Sequence, residues 1–148
     1  MKKLLPPILF ILFAVVMGLI CWGFGFKHII VFPYNLIGIP LLLTGLILAQ
    51  SSKMLFLNLK TNIDTFGQPD KLVTSGFYKF TRNPMYLGFV IAIFGVAILY
   101  QGSISSFILA ILFFVISDQW YIKFEENAMV SKFGNEYLQY CKKTRRWI

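Results

Sequence analysis

Residues 4–26 carry no charged side chain over 23 positions, and residues 29–52 carry none over 24. Each run is long enough to cross ~30 Å of hydrocarbon at ~1.5 Å per helical residue. A third uncharged run, 83–117, has 35 residues. As one helix it would measure about 50 Å, too long for one bilayer crossing. It is interrupted by Tyr100-Gln101-Gly102-Ser103, which predicts a tight helical hairpin with arms at 84–100 and 103–121. Charged residues make up 14% of the chain and apolar ones 57%. A soluble domain carries roughly a quarter charged residues, so this apolar excess is not a single buried core. The expected fold is an all-α integral membrane protein of one domain, 1–148. It has about four transmembrane helices (4–26, 29–52, 84–100 and 103–121), the last two forming the hairpin. A cytoplasmic loop at 53–83 and cytoplasmic C-terminal helices at 122–148 complete it.

The lysine–apolar start, Met1-Lys2-Lys3, has the look of a signal peptide. Its apolar run is long for one, and no small-residue cleavage site follows. The reading is a retained first helix, with Pro6 and Pro7 in its first turn, where proline is tolerated.

Lys and Arg counts set the orientation. Lys2 and Lys3 precede the first span, and Lys27 alone lies in the first loop. Lys53, Lys60, Lys71, Lys79 and Arg82 lie in the second loop. The hairpin turn has none. Lys123, Lys132, Lys142, Lys143, Arg145 and Arg146 follow the last span. Both termini and the second loop are therefore expected in the cytoplasm, in the inner or plasma membrane of a prokaryote. The formal charge of +8 follows from this bias and from attraction to anionic lipid. Nothing in the sequence points to nucleic acid as a partner. Cys21 and Cys141 fall on opposite sides of this topology, so no disulfide is expected.

Polar chemistry concentrates in two places. The loop before the third span has Gly67, Pro69 and Gly76 as breakers and runs into Thr81-Arg82-Asn83-Pro84-Met85-Tyr86-Leu87-Gly88. Asn83 and Pro84 read as N-cap and first helical position, with Arg82 snorkelling to headgroups. The second cluster follows the fourth span. Asp118, Tyr121 and Glu125 are spaced i, i+3, i+7 and share a helix face, with Glu126 beside it. The helical pattern continues to about Phe133, Gly134 ends it, and 135–142 form a short further helix. Two plain readings stand beside any functional one. Asp118 is then an interface residue, and Glu125 and Glu126 a solvated pair matched with Lys123 or Lys132.

The hairpin joins the two clusters. Helices connected by a turn of few residues are antiparallel neighbours, so positions 83–88 and 118–126 meet at the cytoplasmic interface.

The ordered set resembles the membrane methyltransferases of the isoprenylcysteine carboxyl methyltransferase and phospholipid N-methyltransferase type, over roughly 67–148. The residues that carry the resemblance are Leu72-Val73-Thr74, Gly76 and Tyr78; Arg82, Pro84, Tyr86 and Gly88; Glu125 and Glu126; Phe133-Gly134; and Tyr137 and Tyr140. Asn83 stands where the family usually has histidine. An amide replaces a histidine's hydrogen bonds but not its action as a base.

The resemblance implies S-adenosyl-L-methionine as cofactor and a lipophilic methyl acceptor from the bilayer, such as an isoprenylcysteine-like carboxylate or a phospholipid amine. It implies Glu125, supported by Glu126, as acceptor for the cofactor's hydroxyl or amino groups. Leu72, Val73 and Tyr78 would lie against adenine. The start of the third helix, Asn83, Pro84, Met85 and Tyr86, would meet the cofactor's carboxylate, with N–H donors at Met85 and Tyr86 because Pro84 has none. Arg82, Asn83 and Tyr86 are the candidate catalytic residues. Methyl transfer from a sulfonium needs no metal, and none is implied; the sole histidine, His28, is expected on the opposite side. Gly23-Phe24-Gly25 is read as helix packing or a helix stop. Two rival functions remain: an NADPH-dependent membrane reductase of the sterol-reductase type, and a non-catalytic membrane protein. The sequence gives no oligomeric state.

Overall fold

The computed structural model describes residues 5–25, 27–59 and 70–148. Lys2, Lys3, Lys60, Gly67 and Pro69, used above for orientation and loop placement, lie outside them. Among the described residues the structure is helix, turn and loop, with one isolated bridge between Thr81 and Arg145.

Six α-helices follow in order: α1 (Pro6–Gly23), α2 (Gly38–Asn58), α3 (Pro84–Leu99), α4 (Ile104–Ile116), α5 (Lys123–Phe133) and α6 (Asn135–Lys143). A π-helical segment, Ser117–Ile122, joins α4 to α5 without a break. Among the described residues, three stretches are long and apolar enough to cross a membrane: Pro6–Gly23, Tyr34–Asn58 and Ile104–Phe133. The third arm, α3, has 16 residues, about 24 Å at ~1.5 Å each, and falls short of that length. It is apolar on all sides, as a buried helix is, and ten of its residues are buried.

The second helix departs from expectation at its start. The run 29–52 is uncharged, yet residues 29–33 are not helical, and α2 begins at Gly38 after a 3-10 turn, Tyr34–Ile37. Proline at position 33 explains the delay: it disfavours helix in the residue before it and lacks an N–H. The amides of Ile29 and Ile30 instead donate to the Gln101 carbonyl, at 3.1 and 2.9 Å. At its other end α2 runs past Lys53 to Asn58, since an exposed lysine is no obstacle to a helix leaving the apolar layer.

Helix α3 is central, packed against α2 on one side and against α1 and α4 on the other. The α2–α3 seam is made of small residues. Gly45 faces Gly88, and Gly38 faces Gly95, so the backbones themselves touch. On the other side, Phe10 and Phe13 of α1 pack edge-on to Phe113 of α4, and Phe10 packs on Phe89 of α3.

The hairpin turn closes at Gln101 and Gly102, both with φ near +60°. The carbonyls at the C-terminal end of α3 are collected by other elements. Asn35 Nδ2 donates to Leu99 (3.2 Å), and Cys21 Sγ to Tyr100 (3.3 Å). His28 lies 3.7 Å from Cys21 at this same end. Cys141 sits in α6, and both thiols are free.

Candidate functional site

The start of α3 meets the helix that follows the hairpin. The Tyr86 hydroxyl donates to Glu125 Oε1 at 2.6 Å, across 39 residues of sequence. Arg82 Nη1 lies 3.3 Å from Glu126 Oε1. The hairpin thus brings Arg82, Tyr86, Glu125 and Glu126 together. Arg82 does not extend freely outward: its side chain is 15% exposed and turned to Glu126, whose side chain is equally enclosed. Nor are the glutamates a solvated pair matched to neighbouring lysines. Lys123 and Lys132 point outward, and the cations on Glu126 come from positions 82 and 146.

The π-helical segment changes how the acids are distributed. At α-helical spacing Asp118, Tyr121 and Glu125 share a face. In the structure Tyr121 packs near Tyr86, with ring centroids 6.3 Å apart, and Glu125 bonds to Tyr86, whereas Asp118 and Glu126 turn together toward Arg146. A π turn holds one more residue than an α turn. It therefore shifts everything after Ile122 relative to Asp118, and position 126, not 125, comes beneath it.

Arg146 and the residues around it were not singled out by sequence reasoning. The C-terminal segment returns to the start of α3. Arg82 N donates to the Arg145 carbonyl at 2.9 Å, and Thr81 Oγ1 and Asn83 Nδ2 both donate to the Arg146 carbonyl at 3.1 Å. The Arg146 side chain binds Glu126 through Nε (3.2 Å) and Nη2, and Asp118 through Nη1 (3.3 and 3.4 Å). These bonds hold its guanidinium protonated even beyond the usual arginine range, Glu126 contributing most. Trp147 Nε1 donates to Asp118 Oδ1 at 2.8 Å, and its ring packs on Phe114. In sequence this segment stands out by its basic charge, which positive-inside bias alone accounts for.

Asn83 occupies the N-cap position of α3 but makes no side-chain cap bond. Its amide is committed to Arg146, its N–H donates to Thr81 Oγ1 (3.2 Å), and it is 8% exposed. Pro84, next to it, is fully buried, and Met85 is partly buried in the first turn.

Val73 and Tyr78 are buried and Leu72 is half-buried. Tyr78 belongs to a 3-10 turn, Gly76–Lys79, and its ring packs against Phe56 of α2. Burial, and next the negative charge of Glu125, push its hydroxyl pKa well up, which places Tyr78 within the field of that carboxylate. Tyr140 of α6 fixes the turn by donating from its hydroxyl to the Tyr78 carbonyl at 2.6 Å, a buried bond. Tyr140→Phe leaves that carbonyl unpaired and is expected to cost about 1–3 kcal/mol in thermal unfolding. Burial pushes the Tyr140 hydroxyl up to about 12. A raised pKa favours the folded state fully below the ordinary value near 10. That contribution is lost as pH rises through 12, so the Phe variant should show a shallower alkaline loss of stability.

Chemically the cluster offers charges of both signs at close range. One donor, Arg82 Nε, is buried without a hydrogen-bond partner among the described residues. Such a set has the complementary charges to hold a small molecule bearing both an anionic and a cationic group.

A family model described as phospholipid methyltransferase matches residues 34–136. The chain is 38% identical over 72 residues, 49% of its length, to the protein-S-isoprenylcysteine O-methyltransferase of Schizosaccharomyces pombe. It is 29% identical over 80 residues, 54% of its length, to methanethiol S-methyltransferase 1 of Bradyrhizobium diazoefficiens. These matches cover 30% and 27% of the two relatives. An uncharacterized protein of Haemophilus influenzae is 38% identical over 50 residues, 34% of this chain and 79% of that protein.

Proposed function

This chain belongs to the phospholipid methyltransferase family, and from that premise we propose that it is a membrane enzyme that moves a methyl group from S-adenosyl-L-methionine to a lipophilic acceptor. The observation that carries this reading is the junction of Arg82 and Tyr86 with Glu125 and Glu126 at one end of the α3–α4 hairpin. A sterol-reductase type of activity on NADPH needs cations for a 2′-phosphate. The family match and the named relatives are methyltransferases, which favours methyl transfer over that activity.

The residues present fit the donor. Its amino-acid end has a carboxylate and an ammonium group. The orphaned Arg82 Nε and the first-turn N–H groups of α3, with the helix dipole behind them, suit the carboxylate. Glu125, steadied by the Tyr86 hydroxyl, suits the ammonium or the ribose hydroxyls. Val73, Tyr78 and Leu72 offer the apolar surface for adenine. When bound, the donor supplies a methyl on a sulfonium cation, which carries its own driving force. The protein's part is to hold donor and acceptor in line and to exclude water. Asn83, committed to the C-terminal segment, acts here as a positioning group and not as a base.

In the membrane, α1, α2 and the long α4–α5 helix span, and α3 crosses as the buried fourth helix of the group. Positive-inside bias puts the site in the cytoplasmic interface, where a donor from the cytosol meets an acceptor from the bilayer. The relatives' acceptors are an isoprenylcysteine and a small thiol, by their names. For this chain the acceptor class includes an isoprenylcysteine-like carboxylate, a phospholipid amine or a thiol.

The test is calorimetry on the detergent-purified protein with S-adenosylhomocysteine and with NADPH. A saturable signal for the first alone is expected. A signal for NADPH with none for S-adenosylhomocysteine at millimolar concentration overturns the reading. Incubation with methyl-labelled donor and membrane lipid extract then identifies the acceptor by the labelled product.

A further inference from the structure

We propose that Arg146 is a positioning residue for the donor site, acting through Glu126 on Arg82; the inference rests on the function proposed above. Glu126 stands between two guanidinium groups. Its Oε1 is shared by Arg82 Nη1 and Arg146 Nε, and its Oε2 is taken by Arg146 Nη2. A carboxylate facing one arginine closes into a two-bond fork with it. Arg146 forms that fork with Glu126 and so prevents Arg82 from forming it. Arg82 keeps a single contact to Glu126, through an Nη1 that also meets Cys141 Sγ, and its Nε is buried with no hydrogen-bond partner among the described residues. Arg146 thereby leaves part of the Arg82 guanidinium available for a ligand carboxylate.

Arg146 can do this because its own place is fixed independently. Its carbonyl is held by Thr81 and Asn83, on either side of Arg82 in sequence. Its Nη1 is held by Asp118, which Trp147 also engages. Asp118 thus anchors the segment, while Glu126 transmits its effect to Arg82. The two acids on one arginine do separable jobs.

The experiment measures S-adenosylhomocysteine affinity and thermal stability of the full chain in detergent for wild type, Asp118→Asn, Arg146→Met, Glu126→Gln and the double variant Glu126→Gln/Arg146→Met. Arg146→Met is expected to weaken binding at least tenfold, because the released Glu126 closes its fork on Arg82. Asp118→Asn should lower stability but keep affinity within about twofold. The decisive comparison is in the Glu126→Gln background, where no carboxylate remains to capture Arg82. There Arg146→Met should change affinity less than threefold. The double variant also leaves no unpaired charge at position 126, so it remains measurable if Arg146→Met alone does not fold. A tenfold loss that persists in the Glu126→Gln background makes Arg146 a structural residue only and overturns the inference. So does unchanged affinity in a folded Arg146→Met protein. A wild type that binds S-adenosylhomocysteine while either of these holds leaves the proposed function standing. A wild type that does not bind it removes both.

Discussion

Gly88→Leu is expected to prevent the protein from folding in detergent, and Gly88→Ala to lower its stability by about 3 kcal/mol, at the upper end of the overpacking range. The reason is the backbone contact between α2 and α3. A Cβ at position 88 would lie 2.5 Å from the Gly45 carbonyl oxygen and 2.6 Å from the Ala49 nitrogen. Neither is a flexible chain end that can swing aside; both belong to the facing helix. Gly38 and Gly95 repeat the arrangement seven residues away, earlier in α2 and later in α3. The helices therefore cannot relieve one clash by pivoting without opening the other contact. In lipid there is no hydrophobic gain in burying one apolar helix against another, so this close packing is what joins them. At about 2–4 °C per kcal/mol for a chain of this size, the alanine variant should melt on the order of 6–12 °C lower. Gly23→Ala is the control: nothing lies within 4 Å of its added Cβ, and the gain in helix propensity makes it neutral or slightly stabilising. Equal melting of Gly88→Ala and Gly23→Ala would remove the seam from the account.

The residues of that seam were visible in the sequence, but not its meaning. Gly38, Gly45 and Ala49 recur along the second uncharged run, and Gly88, Ala92 and Gly95 along the third. Each set lies on one helix face, and only pairing between faces distinguishes a contact stripe from scattered small residues. What could be read was what depends on local chain geometry. The turn at Gln101-Gly102, the stop at Gly134 and the meeting of positions 83–88 with 118–126 follow from breakers and hairpin connectivity. What depends on distant backbone was not readable. The amides of Ile29 and Ile30 bind Gln101, so an apolar run that looks helical stays non-helical until the turn at Tyr34. The π-helical segment is likewise invisible to a 3.6-residue pattern. Its extra residue moves Glu126 under Asp118 and leaves Glu125 to Tyr86. Arg146 shows the same limit in its charge. Counted with Lys142, Lys143 and Arg145, it was one more cation near a membrane. Its role rests on the return of the chain to Thr81, 65 residues away.

Glu125→Gln separates charge from shape at the site. The amide has the volume of the carboxylate, and its oxygen still accepts from the Tyr86 hydroxyl, so the helices stay together and thermal stability should change by less than about 1 kcal/mol. Only the negative charge disappears. A hydrogen bond to a charged group contributes about 1.5–3 kcal/mol, so losing it from a contact with the donor's ammonium or hydroxyl groups should weaken S-adenosylhomocysteine binding roughly 10- to 100-fold. The effect belongs in affinity and in kcat/KM at low donor concentration. It should be smaller in kcat at saturation, since a group that only holds the donor adds the same binding energy before and during transfer. Tyr86→Phe tests the same carboxylate from the other side. It keeps the charge and releases its anchor, so binding should weaken by less than in Glu125→Gln while the Glu125 side chain gains freedom. Asp118→Asn, which alters a carboxylate of the same helix that faces Arg146 and Trp147, should show the reverse pattern, with stability lowered and affinity kept. If Glu125→Gln and Asp118→Asn instead alter binding equally, the donor does not use Glu125, and the cluster at the start of α3 is a structural clasp.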